Sequence, residues 1–99
     1  MKTRSLVLHD LDSRLSAIEI DAEQAVLGRG DDTVRIEDKS VSRRHARVEQ
    51  DSTGWFLEDL GSSHGSAVNG LWVSDGERVR LQQGDQLRLG AITFRLELK

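Results

Sequence analysis

The sequence predicts an all-β fold, an antiparallel β-sandwich of two sheets, on three observations. Apolar and polar residues alternate almost everywhere along the 99 residues, the period of a strand with one face on a core. Turn signals (DLDS, GRGDD, DSTG, DLGSSHG, NG, SDG, QQGD and LG) cut that alternation into pieces of about five to seven residues, the usual strand length. No segment carries apolar residues at the three-and-four spacing of an amphipathic helix.

The elements follow in order. Leu6 and Leu8 mark a first strand, and Leu15 with the Ile18/Ile20 pair a second. Val26-Leu27 ends a strand just before a glycine turn, and Val34/Ile36, Ala46/Val48 and Trp55/Leu57 continue the alternation. Val68-Asn69-Gly70-Leu71 reads as a hairpin, because Asn-Gly supplies the two positive φ values of a type I′ turn. Val79/Leu81, Leu87/Leu89 and the run Ile92, Phe94, Leu96, Leu98 complete the sheets. Trp55 belongs to the core on this pattern, whereas Trp72, just past the hairpin, is a candidate for an exposed ring.

A chain of this length holds one modest core, so a single domain over 1–99 is expected. The net charge of −3 argues against general binding to nucleic acid or to an anionic membrane, and any basic site must be local. There are no cysteines, and His9, His45 and His64 are scattered without ligand spacing, so neither a metal nor another cofactor is expected. The start, MKTRSLVLHDLDS, has too short an apolar run for a signal peptide, and a cytoplasmic setting is the default.

Two loops stand out. The segment LGRGDDTVRIEDKSVSRRHARV carries Arg29, Arg35, Lys39, Arg43, Arg44 and Arg47 and is locally basic in an acidic chain. The segment DLGSSHGSAVNG is rich in glycine and hydroxyls, a composition that offers backbone N–H groups and hydroxyls to an anion. Both suit a phosphate. Gly28 would let the backbone approach closely where the strand turns and swing the Arg29 guanidinium over the loop end.

With these motifs, from VLGRG through VSRRHARV, DLGSSHGSAVNG and LQQGDQLRLG to ITFRLEL, the sequence resembles a forkhead-associated domain over nearly its whole length. The resemblance implies a sandwich with its ligand loops at one end that binds phosphothreonine peptides in Ser/Thr kinase signalling. The partner would be a phosphothreonine-containing protein or peptide, such as a kinase or its substrate. Arg29, Ser42, Arg43 and Ser63 match the family's phosphate-binding positions, and His64, Gly65, Ser66 and Asn69 fall in its peptide-binding segment. Gly28 and His45 match residues that support the site. At His64 the family most often has an asparagine that holds the peptide's main chain.

The chemistry of the residues supports these roles. A phosphothreonine carries nearly two negative charges and three acceptor oxygens, which need donors converging from several segments. Arg29 offers a planar fork and Ser42 a short directional donor. Arg44 is read instead as a surface ion-pair partner. A hydrolytic triad of Ser42, His45 and Asp59 lacks a nucleophile elbow, so the chain is not expected to be an enzyme. The remaining alternative is an assembly domain on the same fold that binds an unphosphorylated partner, and such a domain has no use for Arg29 and Ser42 together.

Overall fold

The computed structural model describes residues 4–99, and residues 1–3 of the expected single domain lie outside them. Among the described residues, eleven strands form two sheets. The first holds β1 (Leu6–Asp10), β2 (Ile18–Ile20), β7 (Ser66–Val68), β8 (Leu71–Trp72), β10 (Gln86–Leu89) and β11 (Ile92–Leu98), in the order β2-β1-β11-β10-β7-β8. The second holds β3 (Gln24–Gly28), β4 (Val34–Arg35), β5 (Ala46–Asp51), β6 (Gly54–Asp59) and β9 (Arg78–Leu81), in the order β4-β3-β5-β6-β9. Among the described residues no helix is long and apolar enough to cross a membrane.

The alternating apolar residues meet between the sheets. Leu6, Leu8, Leu87, Leu89, Ile92, Phe94 and Leu96 of the first sheet face Leu27, Ala46, Val48, Trp55 and Leu57 of the second, and all are buried. Phe56 lies on the outer face of the second sheet, where the guanidiniums of Arg78 and Arg80 stand 3.6 and 4.9 Å from its ring centre. Ion pairs of Arg78 with Glu49 and Asp51, and of Arg47 with Glu58, continue that cover. The Asn-Gly hairpin is as expected, with φ of 52° at Asn69 and 81° at Gly70.

Three details depart from the sequence reading. Leu15 packs on the core from a loop rather than from a strand, because the Asp10 carboxylate accepts the N–H groups of Asp12, Arg14 and Leu15 and winds the chain around itself. Ile36, fully buried, follows β4 instead of belonging to it. The sheets are also not wholly antiparallel, since β4 runs parallel to β3 with Leu27 opposite Val34. The intervening loop folds back when Thr33 N–H donates to the Gly30 carbonyl, and Ile36 N–H then closes on the Gly28 carbonyl.

Four connections gather at one end of the sandwich, those of residues 29–33, 36–45 and 60–65 and the turn at Gly90-Ala91. Hydrogen bonds between Arg29 and Ser42, Ser63 and Ser42, Gly90 and Gly65, and Ala91 and Ser40 tie them to one another.

Candidate functional site

The site is built from the point where β3 ends. Arg29 N–H donates to the Ser42 carbonyl at 3.1 Å, Gly30 N–H to that of Arg43 at 3.0 Å, and His45 N–H to that of Leu27 at 2.9 Å. The segment 42–43 therefore lies against Gly28 so closely that a Cβ there would stand 2.1 Å from the Arg43 oxygen. The glycine is needed for that approach rather than for an unusual φ. Gly28→Ala should push the two segments apart and lower stability by roughly 1–3 kcal/mol, the usual cost of overpacking. A denaturant titration checks this, and an unchanged midpoint would mean that the loop yields freely.

His45 is fully buried between the loops. Its Nδ1 accepts the Ser42 N–H at 3.0 Å, which puts the proton on Nε2, and Nε2–H donates to the Gly65 carbonyl at 2.9 Å. Burial holds its pKa below the usual histidine value, and nearby His64 adds to that; the Gly65 carbonyl and Asp59 oppose it. The imidazole is thus neutral and spans the arginine-bearing segment and the serine-glycine loop.

Asp59 organises the second loop. Its carboxylate accepts the N–H groups of Gly61 and Ser62 and the hydroxyls of Ser62 and Ser66, at 2.6 to 3.0 Å. Burial alone would raise its pKa, but donation from Ser66, Ser62 and Gly61 outweighs that and holds it low. With Asp59 engaged in this way, and Nδ1 of His45 bonded to a backbone N–H rather than to a hydroxyl, Ser42, His45 and Asp59 are not wired as a triad.

The outer layer of the site is open. Arg29 is exposed, and its Nε donates to the Val41 carbonyl. Ser42 Oγ accepts the Ser63 N–H at 3.0 Å, which leaves its own hydroxyl proton to give. The side chains of Arg43, Ser63 and His64 are exposed, and among the described residues none is hydrogen-bonded. Arg29 and Arg43 have no carboxylate partner among the described residues, whereas Arg35 pairs with Asp31 and Glu37, and Arg44 with Asp32 at 3.0 Å. Arg29 and Arg43 thereby keep unpaired positive charge beside Ser42.

Three expected peptide contacts need correction. Ser66 is fully buried with its hydroxyl on Asp59, so its side chain cannot meet a ligand. Gly65 gives its N–H to Ser62 Oγ and its carbonyl to His45 and Gly90, which leaves no free backbone polar group. Asn69 sits at the other end of β7, where its amide binds Asp85 and the Gln86 N–H and holds the hairpin. The sequence reading also missed Ser40, whose hydroxyl donates to Asp38 and accepts from Ala91 N–H, joining the β10–β11 turn to the site.

The sequence profile of the FHA domain matches residues 25–90. The chain belongs to the FHA domain family. The FHA domain here is 38% identical over 60 residues to an FHA domain-containing protein of Arabidopsis thaliana, covering 61% of this chain and 16% of that one. It is 32% identical over 80 residues to the FHA domain-containing protein FhaB of Mycobacterium tuberculosis, covering 80% of this chain and 50% of the relative. The chain thus spans half or less of both these curated relatives. A structure determined in a study of phosphothreonine-dependent FHA domain interactions superposes with a TM-score of 0.84 at 30% identity, over 96% of this chain and 97% of the other.

Proposed function

We propose that this FHA domain binds phosphothreonine peptides and acts in Ser/Thr kinase signalling without catalysing a reaction. The observation that carries the reading is the convergence of donors from two loops. Arg29 and Ser42 are joined through their backbones, and Ser63 through its N–H to the Ser42 hydroxyl, while the outward donors of all three stay free. Arg29 would grip two phosphate oxygens with its Nη groups, Ser42 would donate its hydroxyl to a third, and Arg43 and Ser63 would complete the shell. His64, exposed at the loop tip, would donate to a peptide carbonyl in place of an asparagine amide. Fixed loop donors lose little freedom on binding, so a shallow site can still discriminate. The similarity to a domain studied for phosphothreonine-dependent interactions supports this reading. The proposal includes a single domain over 1–99 and a cytoplasmic setting, where ATP-dependent kinases would supply the modified residue.

Calorimetric titration with a phosphothreonine peptide library beside its unphosphorylated copy tests it. Binding of the phosphorylated peptides alone is expected, with phosphoserine weaker by about 1 kcal/mol if the threonine methyl is buried. Equal affinity for both forms would favour the phosphorylation-independent alternative.

A further inference from the structure

Trp72 and Arg88 stand beside this site on the outer face of the six-stranded sheet. Arg88 is opposite Ala67 in the β10–β7 pair, and Ala67 is opposite Trp72 in the β7–β8 pair, so the two large side chains flank a small one. The Arg88 Cζ lies 5.7 Å from the Trp72 ring centre, within range of a cation–π contact. Trp72 is 61% exposed, yet its ring is seated: a Cβ on Gly65 would be 3.0 Å from its Cζ3. Arg88 Nε donates to the Gly90 carbonyl at 2.8 Å, and Gly90 N–H donates to the Gly65 carbonyl at 3.1 Å. Gly65 directly follows Ser63 and His64, so the pair is bonded into the loop that borders the phosphate site.

Arg88 is held as Arg29 is. In both, Nε is fixed to a backbone carbonyl, and among the described residues the Nη groups have no carboxylate partner. Arg35, Arg44, Arg47 and Arg78, by contrast, are ion-paired. An anchored guanidinium with open Nη donors suits a carboxylate, and the indole beside it can cover the methylenes of the incoming side chain. An overall charge of −3 gives the domain no general attraction for acidic peptides, so a preference for acid has to come from such a local cation.

We propose that Trp72 and Arg88 form a second subsite that takes an acidic side chain, glutamate or aspartate, flanking the phosphothreonine of the same peptide. The inference rests on the phosphopeptide reading and adds a specificity determinant to it. Phosphothreonine peptides bearing glutamate, glutamine or lysine in turn at each flanking position are titrated against wild type, Arg88→Gln, Arg88→Glu and Trp72→Ala. Wild type should prefer glutamate over glutamine at one position by about threefold to tenfold, the range of a partly exposed charge-assisted pair. Arg88→Gln should abolish that preference, Trp72→Ala should reduce it, and Arg88→Glu should turn it toward lysine. All three should keep the wild-type discrimination between phosphorylated and unphosphorylated threonine. Phosphate-dependent binding with no glutamate preference, or with the same preference in Arg88→Gln, overturns the subsite alone. Binding indifferent to phosphate in the wild type overturns the phosphopeptide reading and the subsite with it.

Discussion

Arg29→Ala should cost roughly 2–5 kcal/mol of phosphopeptide binding, the range for removing one partner of a hydrogen-bonded charge pair that binding desolvates. The melting temperature should hardly move. The two expectations come from different parts of the residue. The backbone N–H of Arg29 closes the loop on Ser42, and alanine keeps that bond. The side chain contributes one hydrogen bond, from Nε to the Val41 carbonyl, at an exposed position, so its loss from the free domain is small. With Nε so anchored, the Nη groups are held at the loop end, and a phosphate meets a fork that is already oriented. Arg29→Lys separates charge from geometry: it keeps the cation, loses the fork, and should recover only part of the affinity. Titration and melting of the three proteins decide the point. If alanine binds as tightly as arginine, Arg29 is a solvated loop residue and the phosphate lies elsewhere.

The sandwich was legible in the sequence because its strands obey one rule, burial of alternate residues, and that rule shows locally. What escaped depends on contacts between distant segments. The parallel β4 is two residues long, too short for a pattern, and its place is set by bonds from Thr33 and Ile36 to the chain around Gly28. Ser66 is placed at the ligand only by the family resemblance, as part of the peptide-binding segment. Period two had the contrary signal: Val68 is a core residue, so Ser66, two positions earlier, faces inward and requires the Asp59 acceptor to be there. Asn69 was legible as a turn former, and its backbone does that work, but its side-chain bond to Asp85 spans 16 residues. Arg29, Ser42 and Ser63 could be named from the resemblance their motifs carry, while the juxtaposition of Arg29 and Ser42 rests on the glycine at 28 having no side chain to hold the segments apart. The pairing of Trp72 with Arg88 required the strand order β10-β7-β8, which no local pattern encodes.

His45→Ala should have the opposite profile to Arg29→Ala, losing roughly 2–4 kcal/mol of stability and weakening binding only through disorder of the loops. Removing the imidazole leaves a cavity and deprives the Ser42 N–H and the Gly65 carbonyl of their partner, and unsatisfied buried groups cost about 1–3 kcal/mol each, less where water can enter. Acid should do reversibly what the mutation does outright. The neutral tautomer accepts at Nδ1 and donates at Nε2; protonation turns Nδ1 into a donor facing the Ser42 N–H, and the bridge between the two loops opens. Because the folded pKa of His45 lies below the ordinary value of 6.5, the unfolded chain takes up the proton first. Its stabilising contribution is therefore complete above pH 6.5 and is lost as the pH falls through the folded pKa. Asp59, also depressed, adds a loss of the same sign in more acid solution. Urea midpoints of wild type and His45→Gln between about pH 8 and pH 5 isolate the histidine, since both proteins keep His9, His64 and Asp59. The stability difference should shrink as the pH drops, and phosphopeptide affinity should weaken over the same interval in wild type more than in the glutamine variant. A difference that stays flat or widens toward acid would mean that the folded domain takes up the proton on His45 at least as readily as the unfolded chain, and the neutral bridge from Ser42 to Gly65 would not be the device that sets the loops.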